Sequence, residues 1–384
     1  MNFLKKNNKQ TNRNIWSKNL CIILFTLATL TVSANEIDPS KKNTIKVALL
    51  LDTSNSMDGL INQAKTQLWE IVNELSYAKC ESQDPDLQIS LYEYGNSYLP
   101  SAEGYIRQVI GFSSDLDEIS EKLFALKTSG GNEFCGTVIQ TSLKELDWGS
   151  NKKDLKLIFI AGNEPFTQGK INYKDATTQA NEQDVVVNTI FCGNYQNGIS
   201  GKWQEGARLT NGDYMAIDHN QAVVHIASPY DDVIIRLNKK LNDTYIYYGT
   251  QGRSKMALQS KQDSNAAELD EVIVVKRAVS KSSRIYTNSS WDLVDAEKEK
   301  GFSYGKLNKK SLPKELQNKS SEEIKKYVSQ QRKKREEIQQ QIKNLNAQRN
   351  AFVAKKRKQD NTKSLDKALI SALKKQAKLK NYVW

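Results

Sequence analysis

Histidine and cysteine are scarce in this chain of 384 residues, which has two histidines and four cysteines. The histidines, His219 and His225, belong to no metal-ligand motif, and no pair of cysteines has the spacing of a zinc site. Their positions suggest no Ser/His/Asp or Cys/His arrangement either. The sequence therefore predicts a protein that is not an enzyme, with its two histidines at the surface or in packing positions.

A hydrophobic run long enough for a comfortable membrane span is also missing. The apolar run from Leu20 to Val32 is shorter than the roughly 20 residues that a membrane helix needs. It follows five basic residues and closes on Val32-Ser33-Ala34, as the apolar part of a signal peptide does. We therefore expect residues 1–34 to be a signal peptide and the protein to be exported, either periplasmic or secreted. A leader kept as an anchor is the alternative.

Export would leave three cysteines, Cys80, Cys135 and Cys192, in an oxidising compartment. Because the number is odd, at most one disulfide can form within the chain. Cys192 ends a predicted strand and Cys135 precedes a predicted helix, so both are expected at the same rim of the sheet. A Cys135–Cys192 disulfide is therefore one prediction, and free buried thiols are the other.

Charge is divided unevenly along the chain. The net charge is +12, of which residues 1–34 carry +5 and residues 301–384 carry +16, so that residues 35–300 carry −9. The basic tail is expected to meet an anionic envelope surface, to pack on the acidic body or to be a solvated helix face. Nucleic acid is not an expected partner, because export would remove the chain from it.

Between Ile45 and about Leu241 the sequence alternates apolar runs of strand length with amphipathic stretches of helical length. The predicted strands are Ile45–Leu51, Leu87–Tyr94, Leu155–Ala161 and Val185–Phe191, with an edge strand of a hairpin within Glu103–Gly111. The predicted helices are Leu60–Leu75, Leu116–Leu126, Thr137–Leu146, Gln204–Leu209 and a stretch near Tyr230–Leu241. This pattern predicts an α/β domain at residues 44–243, with a doubly wound, mostly parallel sheet.

The pattern changes after this domain. Residues 244–319 are interpreted as a linker and an irregular or helical segment, in which Ser264–Lys281 is a helix candidate. Residues 320–384 are predicted to be a basic helical tail with a long helix from Ser320 to about Lys358 and a second helix at Leu365–Leu379. Ile338, Ile342, Leu345 and Phe352 form one narrow apolar stripe on the long helix. Such a stripe predicts a partly coiled-coil tail that offers its apolar side to a partner.

Short oxygen-bearing side chains follow the first predicted strand, in what we call the first loop, residues 52–56. Asp52, Ser54 and Ser56 alternate along it. Strands of an open parallel sheet point their carboxyl ends at the crevice where ligands bind, and hard cations such as Mg²⁺ prefer oxygen ligands. We interpret the three residues as part of a cation site. The alternative is that they only end the strand and cap the next helix.

The D-x-S-x-S pattern of Asp52-Thr53-Ser54-Asn55-Ser56 after a buried strand resembles the signature of von Willebrand factor A domains, whose metal-ion-dependent adhesion site it opens. The resemblance covers about residues 44–243, roughly half of the chain. It implies a bound Mg²⁺ or Mn²⁺ and a protein partner that completes the ion's ligands with an acidic side chain. It also implies a threonine ligand from a second loop and an aspartate ligand from a third.

The second loop, residues 129–137, and the third loop, residues 161–165, contain the remaining candidates that the resemblance implies. Thr137 is the natural counterpart of the family's threonine, and Glu133 is the alternative. In the third loop Gly162 stands at the aspartate position, which puts the metal affinity in question. Asn163 or Glu164 could fill the coordination sphere through water.

These observations favour an exported, non-enzymatic binding protein that recognises a protein partner through a metal-assisted site at its strand ends. The alternative is a metal-free structural envelope protein that acts through its basic coiled-coil tail. Partner binding that does not depend on a metal ion would favour the second interpretation.

Overall fold

The computed structural model describes residues 42–58, 61–81, 83–217, 226–359 and 365–384. The predicted signal peptide and both histidines lie outside the described residues. Residues Lys42–Trp384 form one compact unit. The predicted boundaries after residues 243 and 319 therefore lie within that unit.

Six strands of the described residues form one sheet, in the order β4-β3-β1-β5-β6-β7. Neighbouring strands are parallel except for β3 and β4, which are antiparallel. The remaining two, β2 and β8, pair with each other. The strands are β1 Thr44–Asp52, β2 Lys79–Cys80, β3 Asp86–Tyr94, β4 Ile106–Ser113, β5 Leu155–Gly162, β6 Val186–Cys192, β7 Tyr214–Ile217 and β8 Tyr382–Val383.

Helices cover both faces of this sheet, and most of the described chain after the sheet is helical. They are α1 Ile61–Leu75, α2 Leu116–Ala125, α3 Cys135–Glu145, α4 Tyr173–Glu182, α5 Tyr195–Ser200, α6 Trp203–Arg208, α7 Asp231–Asn242, α8 Gly252–Leu269, α9 Glu271–Ser282, α10 Leu293–Ala296, α11 Lys314–Gln317, α12 Ser321–Gln359 and α13 Leu365–Lys378. None of the helices in the described ranges has the length and apolarity that a membrane crossing requires.

The two faces of β1 belong to two different apolar cores, because successive side chains of a strand point to opposite faces. Leu49 and Leu51 pack in a core that also contains residues of α1 and α2. Ala48 and Leu50 pack in a second core that contains residues of α3 and α4. This arrangement confirms the predicted doubly wound, mostly parallel sheet followed by a helical C-terminal region.

The carboxyl end of β1 lies where the order of strands reverses direction. The chain continues from β1 to β3 on one side and later returns to β5 on the other. In open α/β sheets such a switch point leaves a crevice between the loops that follow the two central strands. The fold therefore places the first loop at the position where ligands of such sheets bind.

The edge strand predicted within Glu103–Gly111 is present as β4, shifted toward the C-terminus and antiparallel to β3. The predicted helix Ser264–Lys281 is instead parts of two helices. Asp270 separates α8 from α9, and its side chain accepts a hydrogen bond from the backbone N–H of Val272 at 2.8 Å. An aspartate that caps a helix in this way starts a new helix rather than continuing the old one.

The long helix begins near its predicted position, with Ser320 as the cap. The Ser320 backbone N–H donates to Glu323 Oε2 at 2.7 Å, and the Glu323 N–H donates back to Ser320 Oγ at 3.3 Å. These reciprocal bonds form a capping box, which satisfies two backbone donors that the helix leaves without partners.

The apolar stripe of α12 is covered by the same chain. Ile342 is completely buried, and Ile338 and Leu345 pack against the core that contains residues of α7 and α9. Phe352 lies edge-on to Tyr230, with 6.5 Å between ring centroids. The expectation that this stripe is available to a partner is therefore wrong, because the compact unit itself buries it.

Candidate functional site

The first loop is shaped by Asp52, the last residue of β1. Its Oδ1 atom accepts a hydrogen bond from the Ser54 backbone N–H at 2.8 Å. Aspartate commonly forms this bond to the residue two positions ahead, and the bond turns the chain. The Thr53 N–H also donates to the Tyr94 carbonyl at 2.9 Å, so that the loop is tied to the end of β3.

Three oxygen-bearing side chains then meet at the surface of the loop. The hydroxyl oxygens of Ser54 and Ser56 are 2.8 Å apart, and Ser56 Oγ donates to Asn163 Oδ1 at 2.9 Å. The amide of Asn163 donates back to the Ser56 carbonyl at 3.1 Å. The first and third loops are therefore joined, and their predicted residues are brought together.

Asp52 is fully buried, and its Oδ2 atom has no hydrogen-bond partner among the described residues. Burial raises the pKa of this carboxyl to about 7, and the donors of Ser54 and the backbone N–H of Asn163 offset only part of the rise. The nearby carboxylate of Glu133 adds to it. Because buried polar atoms are nearly always paired in proteins, an acceptor left alone at a strand end fits a cation that would bind there.

Glu133 is the second carboxylate of the site and is only 6% exposed. Burial, followed by the charge of Glu164, raises the pKa of its carboxyl above the usual value, and the nearby Ser54 hydroxyl offsets only part of the rise. A Cβ atom on Gly95 would lie 2.8 Å from Asp52 Oδ1 and 2.9 Å from Glu133 Cγ. Both acidic side chains thus pack closely on the same glycine, which has a φ of +77°.

Thr137 lies in the first turn of α3, where its methyl group faces Gly104 rather than the first loop. Among the described residues its hydroxyl makes no hydrogen bond to Asp52, Ser54 or Ser56. In the second loop the structure therefore places Glu133 beside Asp52, and Thr137 as a ligand stays a prediction. The sequence could not distinguish Glu133 from Thr137 as the ligand, because both residues are close to the N-terminus of α3.

Gly162 ends β5 directly beside Asp52. A Cβ atom placed on it would lie 2.5 Å from Tyr94 Oη and 3.1 Å from Asp52 Oδ2. Tyr94 is buried in this space, and its hydroxyl donates to the Ala161 carbonyl at 3.0 Å. An aspartate at position 162 would therefore collide with Tyr94, which explains why this chain departs from the family pattern here.

Glu164, the remaining predicted ligand, is half-buried at the rim and connects to the second loop through Gln168. Gln168 Nε2 donates to Glu164 Oε2 at 3.3 Å, and Gln168 Oε1 accepts from the Glu133 N–H at 3.4 Å. Trp203 Nε1 donates to the Glu164 carbonyl at 2.7 Å. The sequence did not identify Gln168 and Tyr94 as residues of the site, since neither belongs to the D-x-S-x-S signature.

The three cysteines of the described residues are free and buried. Cys135 Sγ lies 3.8 Å from Tyr94 Oη beneath the site. Burial raises the pKa of both the Cys135 and the Cys192 thiol above the usual value. The predicted Cys135–Cys192 disulfide is therefore absent, and the alternative of free buried thiols applies.

The donor set at the end of β1 thus consists of two carboxylates, two hydroxyls and one amide oxygen. Within the ranges that the structure describes, no three His, Cys, Asp or Glu side chains form a metal-binding group by themselves. The fold, the switch-point position and the D-x-S-x-S turn agree with one family. Residues 46–200 match the family model of the von Willebrand factor type A domain. This VWA match covers less than half of the chain.

Solved structures with similarity to this chain include the SpRpn10 VWA domain, at 15% identity and a TM-score of 0.36. That match covers 46% of this chain and 88% of the other. The conserved hypothetical protein BatB from Bacteroides thetaiotaomicron is 16% identical, with a TM-score of 0.34, and 45% of this chain and 90% of that chain are covered.

Proximal thread matrix protein 1 from the mussel byssus, in a structure with a zinc-occupied MIDAS motif, is 9% identical with a TM-score of 0.34. Here 47% of this chain and 43% of that chain are covered. Comparison with curated proteins finds no match to the sequence.

Proposed function

We propose that this chain is an exported, non-enzymatic binding protein whose VWA domain recognises a protein partner through a divalent cation, Mg²⁺ or Mn²⁺. The observation that supports the proposal is the buried Oδ2 atom of Asp52, which lacks a partner at the switch point of the sheet. A protein that used this end of the sheet only for packing would gain nothing from an unpaired carboxylate there, because burying a charge without a partner is costly.

The residues that would hold the cation are Asp52, Ser54 and Ser56, with Asn163 at the rim. Carboxylate and hydroxyl oxygens suit Mg²⁺, which commonly keeps several water molecules when it binds to proteins. A water-bearing position can be taken by an oxygen atom of the partner, such as that of an acidic side chain. The cation would then serve recognition, with Ser56 and Asn163 holding the first and third loops together around it.

Export and the absence of enzyme activity are parts of the proposal that rest on the sequence. The basic leader followed by the Leu20–Val32 run supports export to the periplasm or secretion. The lack of a nucleophile and base in a suitable pattern supports binding rather than turnover. A contact of the basic tail with an anionic envelope surface is a further part of the proposal, supported by exposed lysines such as Lys333 and Lys334 on α12.

Metal-dependent thermal unfolding of the full chain tests the proposal. Wild type, stripped of metal, is compared with Asp52→Asn as Mg²⁺ or Mn²⁺ is added. Binding to the folded state alone stabilises it by about 2.7 kcal/mol at a hundredfold excess over the dissociation constant. We expect the unfolding midpoint of wild type to rise and that of Asp52→Asn to stay constant.

The matched control is Asp86→Asn, because Asp86 begins β3 at the opposite end of the sheet and is exposed. This variant should respond to the cations as wild type does. A rise of the same size in Asp52→Asn would place the cation elsewhere and contradict the proposed site. The full chain is required because α12 and α13 complete the core.

A further inference from the structure

Gly162 has no carboxylate to offer a cation, but Glu133 of the second loop also lies beside Asp52. We propose that Glu133 supplies the second carboxylate of the cation site, so that the site binds its cation without a partner. This inference rests on the proposed function, since it concerns the same cation. It differs from the arrangement expected from the family, in which Thr137 and a third-loop aspartate would act.

The position of Glu133 relative to Asp52 supports the assignment. Asp52 Oδ1 and Glu133 Cγ both lie within 3.0 Å of one point above Gly95, the position at which a Cβ atom would stand. Ser54 belongs to the same loop as Asp52, and its hydroxyl is 2.8 Å from that of Ser56. The side chains of Asp52 and Glu133 therefore meet at one place, at the carboxyl end of β1.

The second loop is held in this position by contacts that do not involve Glu133 itself. The Ser129 N–H donates to the Thr53 carbonyl at 2.9 Å, and the Ser129 and Ser97 hydroxyls are 3.0 Å apart. Gly131 packs directly on the backbone of Gly95, where any side chain would collide with the carbonyl. These contacts place Glu133 on the site before any ligand binds, and such preorganisation lowers the cost of binding.

The third loop has no carboxylate that is buried as deeply as that of Glu133. Position 162 has no room for a side chain beside Tyr94, and Asn163 is already engaged with Ser56 through two hydrogen bonds. Glu164 is half-buried and is bonded to Gln168. Two buried carboxylates close together repel each other, and the unpaired Oδ2 of Asp52 is an independent sign that a positive group belongs there.

The charge balance has a consequence for the partner. Asp52 and Glu133 together neutralise a divalent cation, whereas a site with one carboxylate leaves it with net positive charge. A neutralised cation attracts a third carboxylate less strongly than a positively charged site does. The open position therefore accepts a neutral oxygen, such as a hydroxyl or carbonyl group, as readily as an acidic side chain.

Calorimetric titration of the full chain with MnCl₂ tests the inference, with no partner present. Wild type should bind one Mn²⁺ per chain, and Glu133→Gln should bind it at least about tenfold more weakly, on the scale seen when supporting groups of metal sites are changed. Thr137→Ala and Glu103→Gln are controls. Glu103 is exposed in the same group of loops, and both controls should stay within about twofold of wild type.

The metal-free unfolding midpoint separates loss of a ligand from loss of structure. Removing the charge of Glu133 relieves its repulsion with Asp52, so the metal-free midpoint of Glu133→Gln should equal or exceed that of wild type. Wild-type affinity in Glu133→Gln, combined with lost binding in Asp52→Asn, would overturn the inference but leave the proposed function intact. Absence of Mn²⁺ binding to wild type would overturn the inference. The change in the unfolding midpoint on addition of Mg²⁺ or Mn²⁺ would then test the proposed function separately.

Discussion

At the scale of single residues, the most informative position is Gly162, because its missing side chain is explained by one neighbour. The hydroxyl of Tyr94 occupies the space into which a Cβ atom would project, and it is hydrogen-bonded to the Ala161 carbonyl. The glycine is thus required by packing and not by an unusual backbone angle. The departure from the family signature follows from a tyrosine on a neighbouring strand.

Gly162→Ala should destabilise the protein by about 1–3 kcal/mol, since overpacking a buried site forces its neighbours to shift. Gly111→Ala is the matched control, because Gly111 is a strand glycine of β4 whose added Cβ would lie 4.0 Å from the nearest neighbouring atom, Gln108 Nε2. Urea unfolding measures both. Equal stability of the two variants would show that Tyr94 does not fill the space beside Gly162.

At the scale of elements, a buried ion pair between Arg335 and Asp292 anchors α12 to the body. Arg335 Nη1 and Nη2 donate to Asp292 Oδ2 and Oδ1 at 2.7 and 3.2 Å, and both side chains are almost completely buried. The guanidinium also donates to Thr244 Oγ1 at 3.0 Å and lies 4.0 Å from the ring centroid of Tyr245. Arg335 therefore joins the linker segment to the long helix, next to a second pair between Arg332 and Glu297.

Arg335→Ala should lower the free energy of unfolding by about 3–5 kcal/mol, because it leaves the Asp292 carboxylate buried without its partner. Lys333→Ala, at an exposed position of the same helix, should change it by less than about 0.5 kcal/mol. Denaturant unfolding followed by circular dichroism compares the two variants. A similar small effect in both would indicate that α12 is not anchored through this pair.

At the scale of the whole molecule, the basic tail returns to the acidic body. Arg349 Nε lies 2.7 Å from Asp231 Oδ1, and Lys374 Nζ lies 2.6 Å from Glu74 Oε1. Of the three roles expected for the tail charge, packing on the body accounts for these residues. The exposed lysines of α12 remain accessible to a binding partner or an anionic surface.

The last residues of the chain cover the end of the sheet opposite the candidate site. Tyr382 in β8 is buried and pairs with Cys80 in β2, and Trp384 Nε1 donates to the Glu74 carbonyl at 3.0 Å. Cys80 Sγ also lies 3.8 Å from the Lys380 carbonyl. The C-terminus therefore shields a cysteine that is distant from it in sequence.

Removal of residues 379–384 should expose the Cys80 thiol and lower stability by about 3 kcal/mol through the loss of one buried aromatic side chain. In a Cys21→Ser background, a thiol-reactive dye should modify none of the three remaining cysteines of the folded full chain rapidly. It should modify one in the truncated chain. Val383→Ala, which keeps Tyr382 in place, is the control, and Cys80→Ala in the truncated chain should abolish the reaction. An unreactive truncated chain would contradict the role of β8.

Much of the central sheet could be predicted from the sequence, because a strand buried on both faces must be apolar along its whole length. β1, β3, β5 and β6 lie within one or two residues of their predicted positions. The short strand β7 was not predicted, since it has only four residues. The pair of β2 and β8 was not predictable, because it joins two dipeptides that are some 300 residues apart in the chain.

The candidate site was predictable only where local spacing decides it. Asp52, Ser54 and Ser56 meet because a turn after a strand brings alternate residues together, and the sequence shows that turn directly. The choice between Glu133 and Thr137 depended on how the second loop packs on Gly95, and this contact involves residues far apart in the chain. Sequence spacing contains no information about such a contact.

The sequence by itself determined the α/β pattern, the D-x-S-x-S turn at the end of β1, and the division into an acidic body and a basic tail. These features depend on the order of residues along the chain, which periodicity and charge reveal. Only the tertiary structure decided which carboxylate faces Asp52, why position 162 is glycine, and that the apolar stripe of α12 is covered by its own chain. Each of these depends on which distant segments come into contact, because burial and repulsion act between neighbours in space.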